Sequence, residues 1–328
     1  MQAMVLDEIA AIETSPLSLT DVPAPQPGGG EVRVCRTDLH VIEGDLPRFR
    51  LPIIPGHQIV GIVDKTGPGC KRFAPGRRIG AAWLRHTCGR CEFCRAGREN
   101  LCDSQRFTGY HADGGYAQYA IVPEEFAYDI PDCFEDAQAA PLLCAGIVGY
   151  RAFKRSRPRD GGTLAIYGFG SSAHVVIQVA LHRGMRVFVV TRGEQHRRLA
   201  AEMGAAWTGQ AADQMPEKVE SAIIFAPAGE LVPRALGKLR KGGTLSLAGI
   251  HMSAIPPMNY QEHLFHERNV CSVTANTRQD GRELLAEAAE IPIRPHTVAY
   301  PLSQANEALQ DVKADRIKGS AVLIVSAR

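Results

Sequence analysis

The chain has 328 residues, more than the roughly 100 to 200 of one ordinary domain, so two packed domains are expected. With 45% hydrophobic and 22% charged residues it is neither disordered nor fibrous, and 37 Lys and Arg against 35 Asp and Glu leave a formal charge of +2. That balance supplies no field for a nucleic-acid or membrane-surface partner, so any anionic ligand must be held locally.

Up to residue 145, Pro and Gly interrupt the chain often (Pro23, Pro25, Pro27, Gly28 to Gly30, Pro52, Pro55, Gly56, Pro75, Gly76), with short β-rich runs at 59–63 and 116–122 between them. This predicts an all-β, loop-rich domain. From Gly162 the pattern becomes strand 163–167, helix 172–183, strand 186–190, helix 195–203, then strands 221–225, 244–247 and 270–275. Strands alternating with helices predict a doubly wound parallel sheet, hence an α/β fold overall. A helix at 281–290, another at 305–312 and a last strand at 321–325 complete the chain. The expected domains are 1–145, 146–276 and a tail, 277–328, that returns to the first. No apolar run reaches the roughly 18 residues of a membrane helix, and the opening MQAMVLDEIA has acids but no basic leader, which points to a cytoplasmic protein without a membrane partner.

Nine cysteines are an odd number for a disulfide scaffold, so their spacing matters more than their count. Cys88, Cys91, Cys94 and Cys102 stand as C-x2-C-x2-C-x7-C, interleaved with Gly89 and Gly97, which permit tight turns. Four thiolates make a closed tetrahedral zinc site that clamps a loop over 88–102. Two disulfides or an iron–sulfur cluster are the alternatives; a reducing compartment disfavours the first, and the spacing favours structural zinc.

Gly168, Gly170 and Ala173, with Ser171 and Ser172 between, form G-F-G-S-S-A after a predicted strand and before a predicted helix. In that context the first glycine makes the turn, the second admits a pyrophosphate, and the small third residue lets helix pack on strand, while the helix N-terminus offers N–H groups to the phosphates. An NAD enzyme usually closes its second strand with Asp or Glu to bind the ribose hydroxyls. Here that position is Thr191, followed by Arg192 and, a turn later, Arg197. A hydroxyl beside an arginine suits a 2′-phosphate, so NADP is preferred; NAD is the alternative if these arginines only form a solvated helix face.

Cys35 and His40 in CRTDLH, His57 in PGH and Cys144 in LLCAG are metal-type residues in a chain that also has a nucleotide site. Singly each is weak, since a lone buried Cys is more often core than ligand. Together they suggest three protein ligands with a fourth position open, as catalytic zinc sites are built. In this order, C-x-T-D-x-H, P-G-H, the four-cysteine motif, L-L-C-A-G and the glycine loop, the sequence resembles the zinc-dependent medium-chain alcohol dehydrogenases from about Gly30 to Val325. The resemblance implies a GroES-like β domain joined to a Rossmann domain. It implies Cys35, His57 and Cys144 as catalytic zinc ligands, Thr37 and His40 as proton relay, and Asp38 as the carboxylate that orients His57. Trp83 then stands at a substrate-pocket position, and Lys318 where a basic residue reaches the cofactor pyrophosphate. Two zinc ions per chain, an alcohol or aldehyde substrate, hydride transfer to or from NAD(P), and a homo-dimer or homo-tetramer follow as expectations.

Two departures stand out. Gln58 follows the ligand histidine where the family usually has Glu, removing a negative charge from beside the metal. The stretch before Cys35 is about seven residues shorter than the family's longer strand, which bears on whether Cys35 reaches the metal, since ligand distances hold to roughly 0.2 Å. A quinone or enone reductase of the same superfamily would lack the retained cysteines. A zinc- and nucleotide-binding sensor without turnover is the other reading.

Overall fold

A computed structural model describes residues 1–25, 31–33, 36–47, 50–291, 293–314, 316, 317 and 319–325. The chain begins with β1 (Gln2–Leu6) and β2 (Leu17–Asp21), an antiparallel pair, followed by β3 (Glu31–Arg33), α1 (Arg36–Ile42), β4 (Gln58–Ile62) and β5 (Arg78–Ala81). A short antiparallel pair, β6 (Leu84–His86) and β7 (Arg106–Phe107), frames the single turn α2 (Glu92–Arg95); β8 (Ala127–Asp129) and α3 (Asp136–Pro141) come next. A π-helical turn, Leu142–Gly146, leads into α4 (Ile147–Arg155). Then follow β9 (Thr163–Tyr167), α5 (Ser171–His182), β10 (Arg186–Val190), α6 (Glu194–Glu202), β11 (Trp207–Gly209), β12 (Val219–Ile224), α7 (Leu231–Lys238), β13 (Leu239–Leu247), α8 (Tyr260–His263) and β14 (Asn269–Ser272). The tail is α9 (Arg278–Glu290), β15 (Thr297–Pro301), α10 (Ala305–Lys313) and β16 (Ser320–Ile324).

Two compact units result, Met1–Cys144 with Ala275–Arg328, and Ala145–Thr274. In the first, a six-stranded sheet runs β15-β16-β3-β4-β5-β8, antiparallel except for the pair β15 and β16. The tail belongs to this unit because its apolar face completes the core: Ala305, Ala308, Leu309 and Leu323 pack with Met4, Leu6, Ile12, Leu39, Ile42 and Tyr116. The domain is not all-β. Helix α1 forms in RTDLHVI, where Leu39, Val41 and Ile42 are buried, and α3 buries Ala139, Ala140 and Pro141. The expected strand at 116–122 is also absent: Ala117 makes only an isolated bridge with Ala3, and the chain reaches Pro123 without a ladder.

The second unit carries a six-stranded parallel sheet in the order β11-β10-β9-β12-β13-β14. Every residue of β9 is buried, as expected of a parallel strand covered on both faces. The strand order reverses between β9 and β12, and a doubly wound sheet binds its ligand beyond the carboxyl ends of the strands at that point. Helices α4 and α7 and strand β11 lay outside the sequence pattern; α7 has Pro233 in its first turn, where a missing N–H costs nothing.

Candidate metal centres and dinucleotide site

His57 lies immediately before β4. Gly56 precedes it with φ of 92°, a left-handed conformation that explains glycine in P-G-H. Nδ1 of His57 is 2.8 Å from Oδ1 of Asp38 on α1, and both side chains are almost wholly buried. A carboxylate only accepts, so the imidazole carries its proton on Nδ1 and offers a lone pair on Nε2, the form a metal requires. The Gln58 side-chain nitrogen lies 3.1 Å from that Nε2 and donates to it. Oδ2 of Asp38 accepts from the hydroxyl of Tyr116 at 3.0 Å. Cys144 is buried in the π-helical turn, whose Leu143 covers the face of β5 at Gly80, so closely that a Cβ there would lie 2.8 Å from Leu143. Cys35 lies outside the described residues, as does the side chain of Thr37, although Thr37 itself is placed on α1. The structure therefore joins Asp38 and His57 directly and buries Cys144 within the same unit. His40, one turn after Thr37, has Nδ1 at 2.7 Å from Oδ2 of Asp45.

Trp83 meets His57 edge-on, with ring centroids 5.0 Å apart and planes at 79°. Its indole is stacked on Phe107 (4.7 Å, 13°) and Tyr110 (5.9 Å, 23°), and the Tyr110 hydroxyl donates to the Pro47 carbonyl at 2.6 Å. An aromatic wall is thus fixed beside the histidine.

The sulfur atoms of Cys88, Cys91, Cys94 and Cys102 all lie within 4.8 Å of one another, and Cys88 and Cys94 are 4.0 Å apart. Four sulfurs at the usual zinc distance of about 2.3 Å would be about 3.8 Å apart, so the cage has the right size for zinc. Every described cysteine is a free thiol, which removes the disulfide alternative for these four. Backbone N–H groups of Cys91, Cys94 and Cys88 donate to the sulfurs of Cys88, Cys91 and Cys102, at 3.3, 3.5 and 3.4 Å. The N–H groups of Arg90 and Cys91 hold the Cys88 thiol down at about 6. Gly89 and Gly97 have φ of 70° and 65°, the turns that aim the thiols inward. Buried Glu99 ties this lobe to α9, accepting from the backbone N and Nε of Arg278 at 2.9 and 3.1 Å.

In the second unit Gly168 follows β9 with φ of 87°, and a Cβ there would lie 2.9 Å from the amide nitrogen of Ala226, just after β12. At Gly170, which precedes α5, a Cβ would meet nothing within 4 Å. That open space at a helix N-terminus beside the sheet's reversal point is the cradle a pyrophosphate requires. Ser171 and Ser172 begin α5, and Ala173 is fully buried. Thr191 follows β10 and adjoins the loop, since Gly168 N donates to Val190 O at 2.8 Å. Arg192 is exposed. Arg197, a cofactor candidate from the sequence, has its Nη1 donating to the carbonyls of Thr191 and Arg192 at 3.0 and 2.6 Å, which holds its guanidinium at this turn. Lys318 lies outside the described residues.

Two features of the site had no counterpart among the sequence motifs: Tyr116, and the direct contact of Gln58 with His57. No spacing rule links Tyr116 to Asp38, 78 positions away. The sequence sign was D-G-G-Y, where a Cβ at Gly114 would lie 2.0 Å from the Gly56 carbonyl, so only glycine lets this segment run against P-G-H.

The model of the alcohol dehydrogenase GroES-like domain matches residues 30–132, and that of the zinc-binding dehydrogenases residues 172–290. A Mycobacterium tuberculosis protein named probable alcohol dehydrogenase AdhA is 48% identical over 99% of this chain and 97% of its own. An alcohol dehydrogenase of Geobacillus stearothermophilus is 33% identical over 99% of this chain and the whole of its own. Among solved structures, a zinc-binding dehydrogenase from Sinorhizobium meliloti bound to NADP is 27% identical with a TM-score of 0.85, covering 98% of each chain. The alcohol dehydrogenase of Aeropyrum pernix, 24% identical with a TM-score of 0.85 over 99% of this chain and all of that one, shares the fold. The chain belongs to the zinc-dependent medium-chain alcohol dehydrogenase family, with a GroES-like and a Rossmann-type domain, and is an alcohol oxidoreductase.

Proposed function

We propose that this enzyme holds two zinc ions per chain, one on Cys88, Cys91, Cys94 and Cys102 and one on His57 with Cys35 and Cys144. The observation that carries the second assignment is the buried Asp38–His57 pair, which fixes a metal-ready lone pair on Nε2 beside the Trp83 wall. When bound, that zinc would supply Lewis acidity toward the alcohol oxygen, and a nicotinamide held at the glycine loop would supply the hydride acceptor or donor. The protein's own groups bind, orient and move the proton. Thr37 takes the alcohol proton and His40 passes it on toward solvent, with Asp45 holding the His40 ring. The open cradle at Gly170 and the start of α5, Ser171 to Ala173, hold the pyrophosphate, and the family resemblance adds Lys318 as its basic partner. Thr191 and Arg192 favour NADP over NAD.

Primary and secondary alcohols, and in reverse the aldehydes and ketones, are the substrates. A homo-dimer or homo-tetramer in the cytoplasm is the state we infer. The edge strand β14 has Val270 exposed, Ile250, Ile255, Tyr260 and Phe265 of the same unit are exposed as well, and among the described residues no helix is long and apolar enough to cross a membrane. Zinc counting on wild type, His57→Ala and Cys94→Ser, with steady-state assays of an alcohol and aldehyde panel against NADP and NAD, tests this reading. Two, one and one zinc per chain, with turnover lost in His57→Ala, are expected. Two zinc ions retained in His57→Ala would remove His57 from the site.

A further inference from the structure

We infer that Tyr116 is a positioning residue for the metal ligand His57, acting through Asp38; the inference rests on the assignment of His57 proposed above. Tyr116 is 0% exposed, and its hydroxyl donates to Oδ2 of Asp38 at 3.0 Å while Oδ1 of the same carboxylate faces His57 Nδ1 at 2.8 Å. Asp38 is itself 0% exposed. A buried carboxylate oxygen deprived of one donor turns toward whatever donor remains, and that turn would loosen the hold of the other oxygen on Nδ1. The tyrosine holds the carboxylate plane so that one oxygen keeps pointing at the imidazole.

The backbone gives the arrangement its rigidity. Gly114 N donates to Ile54 O at 2.7 Å, Gly115 N to Gly56 O at 2.9 Å and Tyr116 N to Pro55 O at 3.0 Å, so 114–116 is laced to the three residues before His57. Met4 N donates to Tyr116 O at 2.8 Å, tying the same residue to β1. One residue therefore fixes the segment that delivers His57 with its backbone and the carboxylate that orients His57 with its side chain. Partners beyond a metal's own ligands commonly set metal affinity by roughly 10- to 100-fold.

The test is Tyr116→Phe, which keeps the ring and removes only the hydroxyl, measured by competition of the zinc-loaded protein with a chromophoric chelator. The weaker of the two zinc ions should bind about 10- to 100-fold less tightly, and the cysteine-cage zinc should be unchanged. Cobalt exchanged into the weaker site should show altered visible absorption, which a merely stabilising tyrosine would not cause. Asp38→Asn should lower the affinity as well, and adding Tyr116→Phe to it should cost little more, because both act along one path. An affinity and cobalt spectrum equal to wild type, or full additivity with Asp38→Asn, overturns the inference. If instead His57→Ala keeps both zinc ions, the site assignment itself is wrong, and the two failures are told apart.

Discussion

Gln58 Nε2 lies 3.1 Å from His57 Nε2, both residues fully buried, so the nitrogen assigned to the metal has a protein donor turned toward it. On the assignment proposed above, zinc would take the lone pair at which the Gln58 carboxamide points, and a glutamate there, which donates nothing, would not compete for it.

Gln58→Glu should act in opposite directions with and without metal. In zinc-free protein it places a carboxylate against an acceptor nitrogen in a buried setting, at a cost of about 1 to 3 kcal/mol. In loaded protein the added negative charge stabilises the cation. The melting-temperature gap between zinc-loaded and chelator-treated protein should widen relative to wild type, and an unchanged gap would contradict the competition.

Cys94→Ser should leave one zinc per chain and lower thermal stability, with proteolysis beginning within 88–102. A closed cage contributes folding energy and no chemistry, so kcat in the folded fraction should remain within about threefold of wild type. Metal analysis and limited proteolysis decide it; full zinc content in the mutant would exclude the cage.

Arg192→Ala should cut the ratio of kcat/KM for NADP to that for NAD by about tenfold to a hundredfold, the equivalent of roughly 1.5 to 3 kcal/mol for one charge-assisted bond. Arg197→Ala should weaken both cofactors alike, because its guanidinium holds the Thr191 and Arg192 carbonyls. A preference that survives Arg192→Ala would assign discrimination elsewhere.

Trp83→Ala should raise kcat/KM for benzyl alcohol relative to ethanol by about tenfold, since the wall stacked on Phe107 and Tyr110 is removed and not merely moved. An unaltered ratio would take Trp83 out of the pocket.

Gly281→Ala tests packing against propensity. Alanine favours a helix interior over glycine by about 1 kcal/mol. At this position on α9 its Cβ would lie 2.4 Å from the ring of buried Tyr128, and overpacking a filled core costs about 1 to 3 kcal/mol. Chemical denaturation should show a net loss of stability; a gain would mean that the ring yields freely.

Motifs whose members are close together along the chain are legible from residue order alone. The cysteine cage spans 88–102, and the glycine loop lies between one strand and the helix it starts, so local geometry brings their parts together with little help from the rest of the chain. The alternation that predicts the parallel sheet is likewise a local signal, because each buried strand carries its own apolar run. Helix α1 is hidden because its apolar residues are few, Leu39, Val41 and Ile42, and the stretch after Gly115 imitates a strand because Tyr116, Ala117 and Ala120 serve the core without pairing in a ladder.

By itself, then, the sequence determined the cage, the dinucleotide turn and the residue types available for catalysis, since these depend on spacing and turn chemistry. The family resemblance already implied Asp38 as the carboxylate that orients His57; only the tertiary structure added the Tyr116 hydroxyl on that carboxylate and the contact of Gln58 with the imidazole. Asp38 comes from α1, Tyr116 from a segment 78 positions further on, and Gln58 is the residue after His57; Tyr116 is delivered where glycine at Gly114 lets its backbone run against Gly56. Arg197 makes the same point: the two carbonyls just after β10 that accept from its Nη1 are acceptors that sequence order does not reveal.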